Sequence, residues 1–411
     1  ASWKIPGQRR QVFWGYAGWM FLFLLVGSIY AHLLIPTLII VVFFSREKQW
    51  QSWAAVIIAS LWAGISRINW FPVPGLFAAL LYFLETPQGE KINFKDLKLP
   101  ALWFFIGTLS AFLSQAVYIQ ASGSRARDEF YTSFSSDLLW YRLLPNETYS
   151  PGILFGGVFL SMPLILLVIL ALRERQGAWK SIRLWGVVSI VVVLFLGGLL
   201  VSAKIGGGAD LHNLDAYFVS ILLAGVAFLA DDFRSAHPAE KAFAKKMLLV
   251  NSLGIFVLAW FILPGRGSLG YDQVAANKAL IDLQDKVAEV VEENEQVLFV
   301  SQRHLLATGL IEDVPLVPKY EKDILMEMAM SRNRSYLDDF YDALRHQDFG
   351  LIVIDPQTET MLSEERSFAI ENNRWILKIT RPLLCYYEPL ILYDDVGIEL
   401  YVPRNKPVAC D

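Results

Sequence analysis

Charge is what this sequence has least of. Asp, Glu, Lys and Arg make up 18% of its 411 residues, where ordinary soluble domains carry about a quarter. Such a composition argues against a chain that lives wholly in water. The formal net charge of -4 and the want of a basic tract leave no nucleic-acid partner in view. No phosphate-binding P-loop, GxSxG elbow, HExxH helix or CxxC pair occurs, which removes support for ATP-driven transport and for metalloprotease chemistry. Within the apolar runs charges are too few to lay out an ion pathway. A cleavable signal pattern is also missing: the basic stretch from Lys4 to Arg10 runs straight into apolar sequence without a small-residue cleavage site. Both cysteines, Cys385 and Cys410, come late. In an oxidising compartment they can pair; two free thiols are the alternative.

What the sequence has in quantity is apolar and aromatic side chains, including 13 Trp and 27 Phe, suited to membrane-interface belts. Up to Pro264 it is a string of apolar runs. The runs 101–120, 152–172, 184–203, 214–230 and 247–263 each suffice, at roughly 17 to 21 residues, to cross a hydrocarbon layer as a helix. Two longer apolar regions, 13–44 and 53–85, are interrupted near Tyr30–His32 and at Ser66–Pro74 by polar residues or proline, and read as hairpins of short helices. Gly27 and Gly64 before the breaks, with Pro36 and Pro74 beyond them, form a weak internal repeat. Lys and Arg then sort by side. The connections 1–12, 45–52, 86–100, 173–183 and 231–246 hold sixteen of them, and the opposite connections hold Arg67, Arg125, Arg127, Arg142 and Lys204. Since the cytoplasmic side holds the excess, the pattern predicts about nine crossings and a cytoplasmic N-terminus. Residues 265–411 then form an extracytoplasmic domain attached to a transmembrane domain, 1–264.

That tail reads as α/β. Helical spacing over 272–293 is followed by a buried-strand pattern at 296–300, a second strand candidate at Val314–Val317, and helical spacing over 321–346. Gly350–Asp355 is the clearest strand, stopped by Pro356, and aliphatic–polar alternation continues over 374–403. Strand–helix–strand alternation predicts a partly parallel sheet with packed helices.

Four features carry candidate chemistry, all on the extracytoplasmic side in this arrangement. Between two runs stands Lys204-Ile205-Gly206-Gly207-Gly208-Ala209-Asp210-Leu211-His212-Asn213-Leu214-Asp215. Glycine amides at 206, 207 and 208 can form an anion-binding nest beside Lys204. Asp210, His212 and Asp215 can ligate a divalent cation or move a proton, and so are the catalytic and metal candidates. The plain alternative is a tight interhelical turn. At the mouth of the second hairpin, Arg67 can pair with a phosphate, while Asn69 and Trp70 suit a sugar by hydrogen bonding and by an apolar face; an interfacial anchor is the alternative. In 121–151 the spacing of Phe130, Phe134, Leu138 and Tyr141 predicts an amphipathic surface helix. Asn146-Glu147-Thr148 matches a glycosylation acceptor triplet, a pattern frequent by chance. In the tail, Arg303, His304, Tyr320 and Glu321 follow strand ends, where α/β domains place ligand groups; surface polar residues are the alternative.

The interrupted hairpins and α/β tail resemble the GT-C type membrane glycosyltransferases. The likeness is to bacterial members related to the dolichyl-phosphate-mannose-type and aminoarabinose-type transferases. The residues that carry it are Ser-Arg-Ile-Asn-Trp-Phe-Pro-Val-Pro-Gly at 66–75, Lys-Ile-Gly-Gly-Gly at 204–208, Gln-Arg-His-Leu-Leu at 302–306, and Tyr-Glu-Lys with Leu-Met-Glu at 320–327. The resemblance implies a protein of the bacterial cytoplasmic membrane and cell envelope, surrounded by membrane lipid. It would transfer a sugar from a polyprenyl-phosphate carrier to an acceptor, with Arg67 and Lys204 on the phosphate and a divalent cation as a possible aid. It also implies an acidic residue in the first extracytoplasmic loop. Neither Tyr30–Leu34 nor 66–72 holds Asp or Glu, so the expectation divides. Either that loop precedes Ala1, or the chain is a non-catalytic relative working with partner membrane subunits.

Overall fold

The computed structural model describes residues 29–86, 94–121, 136–147, 149–173, 181–204, 211–234, 256 and 272–406. The chain divides into two compact units, Ala1–Arg127 with Leu139–Arg266, and Asp128–Leu138 with Gly267–Asp411.

In the first unit the described helices are α1 (Ala31–Phe43), α2 (Gln49–Ser66), α3 (Val73–Glu85), α4 (Lys98–Ala121), α5 (Ile153–Arg173), α6 (Ile182–Ser202) and α7 (Asp215–Arg234). Three described stretches are long and apolar enough to cross a membrane: Ile68–Glu85, Lys95–Ala121 and Ile182–Ser202. Ala31–Phe43, Ile153–Leu166 and Leu211–Ala227 are shorter apolar helices. Residues 13–28 and the run 247–263, apart from Phe256, lie outside the described residues, as do 122–135 of the segment expected to form an amphipathic helix. At its described end, Leu138 and Tyr141 lie on an irregular stretch and a single 3-10 turn, Trp140–Leu143, instead of on a continued helix.

The second hairpin breaks because α2 ends at Ser66, Arg67 is extended (φ -163°, ψ 133°) and Ile68–Trp70 forms a single 3-10 turn. Pro74 then sits in the first turn of α3, where its missing N–H costs nothing. Pro36, by contrast, lies inside α1. Lacking an N–H, it frees the carbonyl of His32, and the indole N–H of Trp62 donates to that carbonyl at 3.2 Å. Helices α2, α3 and α4 meet through small residues. A Cβ at Gly64 would collide with the Ala111 carbonyl, one at Gly75 would meet the Trp103 and Phe104 backbone, and Gly107 faces Ser60 and Val56. Close approach through small residues is how helices gain packing where lipid offers no hydrophobic incentive to associate. Leu102, Phe105, Leu109, Leu113 and Val117 of α4 face outward and exposed, as do Val193 and Leu196 of α6, leaving an apolar exterior as well as an apolar interior.

The second unit is a four-stranded sheet in the order β1-β2-β4-β3, with β1 (Gln296–Phe299), β2 (Phe349–Ile354), β3 (Tyr387–Tyr393) and β4 (Ile398–Pro403). β1 and β2 are parallel, and β4 is antiparallel to β2 and β3. Alternate residues divide between two faces. Val297, Phe299, Leu351, Val353 and Leu400 pack with Leu283 and Val287 of α8 (Gln273–Glu292). Leu298, Val300, Ile352, Ile354 and Tyr401 pack on the other face with side chains of α10 and α11, after the short α9 (His304–Ala307). Those two helices correct the single helix expected over 321–346. They are α10 (Lys322–Ser331) and α11 (Arg334–Arg345), separated by Arg332 in the left-handed region (φ 59°) and by Asn333, whose side chain caps α11. Val314–Val317 is not a strand, because Pro315 and Pro318 deny the ladder two donors. The alternation over 374–403 also misleads in its first half. Ala369–Trp375 (α12), a π turn at Ile376–Thr380 and Arg381–Tyr386 (α13) are helical, and only β3 and β4 are extended. Cys385 is disulfide-bonded; Cys410, the other cysteine of the sequence, lies outside the described residues.

Candidate functional site

The first unit brings together two of the motifs singled out from sequence. Arg67, Asn69 and Trp70 occupy the opened end of α2, and His212, Asn213 and Asp215 occupy the 3-10 turn Leu211–Leu214 and the start of α7. Arg67 Nη2 donates to Asn213 Oδ1 at 3.1 Å, and Trp70 Nε1 donates to Asp215 at 3.1 and 3.3 Å. The Arg67 guanidinium lies 4.5 Å from the centre of the Tyr30 ring and 5.8 Å from that of Trp70, a cation–π seat. Tyr30 in turn stands edge-on to His212 at 5.6 Å.

Two polar atoms at this place are buried with no hydrogen-bond partner among the described residues, Arg67 Nη1 and Asn69 Oδ1. Leaving a buried polar group unpaired costs about 1–3 kcal/mol, more for a charged one. One is a permanently charged donor and the other an acceptor. Together they match a ligand with an anionic oxygen and a hydroxyl. Asn213 and Tyr30 hold the guanidinium plane so that one edge is used by the protein and the other is left over.

Asp215 is committed elsewhere. It is 1% exposed, accepts from Trp70 through both oxygens, and its Oδ1 also accepts from the Ala216 N–H at 2.6 Å. Its carboxylate therefore ties α7 to the turn at Trp70. Gly206, Gly207, Gly208 and Asp210 lie outside the described residues, and no group of three His, Cys, Asp or Glu able to hold a metal occurs among the described ones. The backbone carbonyl of Lys204 accepts from Arg142 Nη1 at 2.8 Å, which pins the end of α6. The Asn146 amide donates to the carbonyls of Arg142 and Leu144, holding its own turn.

Among the tail candidates, Arg303, Tyr320 and Glu321 are engaged within the tail's own fold. Arg303 donates to the carbonyls of Phe299, Pro318 and Lys319, so its guanidinium staples the 318–320 segment to the end of β1. Burial pushes its pKa down, against the opposing effect of Glu321 and Tyr336. Tyr320 is a core residue, 7% exposed, edge-on to Tyr336 and Phe349 and tilted against Phe340. Burial pushes its hydroxyl up to about 12, with Asp339, Asp348 and Asp342 adding to the shift. Glu321 caps α10 through the amides of Asp323 and Ile324, and His304 is exposed at the start of α9.

Tyr30 and Asn213 belong to the site but carried no role in the sequence reading. Asn213 stood inside the quoted turn, and its signal was an amide among residues that become buried. Tyr30 stood in the break of the first apolar region, read there only as an interruption. Compared with models of known protein families, with characterised proteins and with solved structures, the chain matches none.

Proposed function

We propose that this chain is a membrane glycosyltransferase of the GT-C type that moves a sugar from a polyprenyl-phosphate carrier to an acceptor at the extracytoplasmic face. The observation that carries the reading is the buried Arg67 Nη1, left without an acceptor among the described residues while Nη2 is fixed on Asn213 and the guanidinium lies over Tyr30. A fixed guanidinium with one free edge fits a phosphate oxygen, and in transfer it offsets the charge that grows on the departing phosphate. Asn69 Oδ1 fits a sugar hydroxyl. In this reading the body spans the bilayer about nine times with a cytoplasmic N-terminus, and the tail lies outside. The disulfide at Cys385 agrees with an oxidising compartment.

One observation favours a second reading, a lipid-phosphate-binding subunit that does no transfer. Asp215, the carboxylate brought to this site, is fully engaged by Trp70 and Ala216 and so is poorly placed to take a proton from an acceptor. Membranes bearing Arg67→Ala at normal protein level should lose sugar transfer from a polyprenyl-phosphate donor. Wild-type membranes that bind the donor but transfer nothing would select the second reading, and unchanged transfer by the variant would remove Arg67 from the site.

A further inference from the structure

In the second unit α12, the π turn and α13 follow one another without a break, so that 369–386 is one helical stretch. Its inner side is settled by packing. Ile379 and Leu383 enter the core on the sheet face that bears Leu298 and Ile352, and Ile376 and Thr380 are buried as well. Away from that side Ile370, Arg374, Leu377 and Arg381 recur at spacings of four, three and four, the period of one helix face. Ile370 and Leu377 are each 43% exposed; Arg381 is exposed and Lys378 half-buried beside it. The stretch has one acid, Glu371, and that residue is buried. Glu364 and Glu365 precede it, on the same turn as Arg366.

A single exposed aliphatic side chain is ordinary. Aliphatic and cationic side chains interleaved along one helix face are different, for they match a bilayer surface in both its layers. The aliphatic groups fit the acyl boundary, and the cations fit anionic headgroups just above it. Lys378 and Arg381 make no ion pair among the described residues, whereas Arg374 shares Asp137 with Arg332, at 3.6 and 3.8 Å. Asp137 groups with the second unit, yet in sequence it stands in the connection between α4 and α5. Helix α4 lies in a stretch long and apolar enough to cross a membrane. The peptide that pairs with this face is therefore tethered to a membrane-type helix, which gives a bilayer a high effective concentration at the domain.

We propose that the 370–381 stripe is a membrane-docking face of the tail, Ile370 and Leu377 entering the acyl boundary while Lys378 and Arg381 take the headgroup phosphates of anionic lipid. This rests on the reading of the first unit as membrane-embedded and is independent of sugar transfer.

The test places an NBD dye on Leu377→Cys in the full chain, in nanodiscs of phosphatidylcholine alone or with about one third phosphatidylglycerol. The readout is quenching by a lipid that carries a nitroxide at its headgroup end, with the wild-type chain labelled in parallel as background. In the anionic discs the dye should be quenched strongly. Quenching should fall severalfold in phosphatidylcholine alone, and likewise in anionic discs once Lys378→Glu and Arg381→Glu are combined. A dye on Lys278→Cys, on α8 at the other face of the sheet, should stay unquenched. Ile370→Cys repeats the measurement should a label at 377 disturb the fold. Blue-shifted emission without lipid quenching would mean that protein covers the stripe, either 122–135 or a second copy, and would overturn the proposal. Quenching that ignores lipid charge, or is equal at 278, would overturn it too. Each of these outcomes leaves the Arg67 reading standing, because donor transfer tests that separately.

Discussion

The indole N–H of Trp70 sits 3.1 Å from Oδ2 and 3.3 Å from Oδ1 of Asp215, a carboxylate that is 1% exposed and 145 residues away in sequence. This contact fixes the turn after α2 against the start of α7 and so sets the position of Arg67 three residues earlier. Trp70→Phe keeps the ring but withdraws the donor from a buried charge. The expected loss is about 2–3 kcal/mol of stability, read as a lower melting temperature of the detergent-solubilised chain. Melting at the wild-type temperature would show that the pair does not hold the turn.

Arg67→Lys keeps the charge and still should not restore the site. A lysine has one ammonium where the guanidinium offers two edges, so it cannot serve Asn213 and a phosphate at once. Binding of polyprenyl phosphate should weaken about tenfold or more, measured by equilibrium binding to the full chain in lipid nanodiscs. A lysine variant with wild-type affinity would reduce Arg67 to a point charge.

Gly64, where α2 meets α4, and Gly197 of α6, an open position, form a test and its control for close helix packing. A methyl at Gly64 meets the Ala111 carbonyl, whereas one at Gly197 meets nothing within 4 Å. Gly64→Ala should therefore push the helices apart and cost about 1–3 kcal/mol. Gly197→Ala should be neutral or gain up to about 1 kcal/mol from helix propensity. Melting temperatures and the yield of monodisperse protein measure both, and equal behaviour would contradict the close contact.

Part of this was legible in the sequence. The break at Ser66–Pro74 follows from residues that cannot continue a helix, and Gly350–Asp355 is a strand because an aliphatic run meets a proline. The turns bearing Arg67 and Asp215 were both visible as polar islands between apolar runs. Their meeting was not, since contact between residues 145 apart is a property of packing. In the tail, Arg303, Tyr320 and Glu321 looked like ligand groups because loops and sites use the same residue types. In the structure the arginine gathers carbonyls, the glutamate caps α10, and the tyrosine fills the core. Aliphatic–polar alternation over 374–386 could not separate strand from helix, as both periods fit so short a stretch.

Tyr320 predicts how the tail responds to alkali. Its pKa is pushed from the ordinary 10 up to about 12 by burial, so the fold favours the neutral phenol. That contribution is complete below pH 10 and is lost as pH rises through 12. Between these values wild type should lose stability faster than Tyr320→Phe, which has no phenol to ionise. Melting temperatures taken from pH 9 to 12 decide this, and parallel curves would place the hydroxyl in water.

The side of the membrane occupied by the tail decides whether any sugar-transfer reading of the site can hold. Glu359 is exposed in the segment after β2, so Glu359→Cys adds one reachable thiol, and Cys385 is disulfide-bonded and does not compete for label. The charge asymmetry of the connections, sixteen basic residues against five, predicts labelling of intact cells by a membrane-impermeant maleimide. Labelling only after lysis would put the tail in the cytoplasm and reverse every connection. The end of α2 that bears Arg67 would then face the cytoplasmic leaflet, and the extracytoplasmic transfer proposed for it would fall.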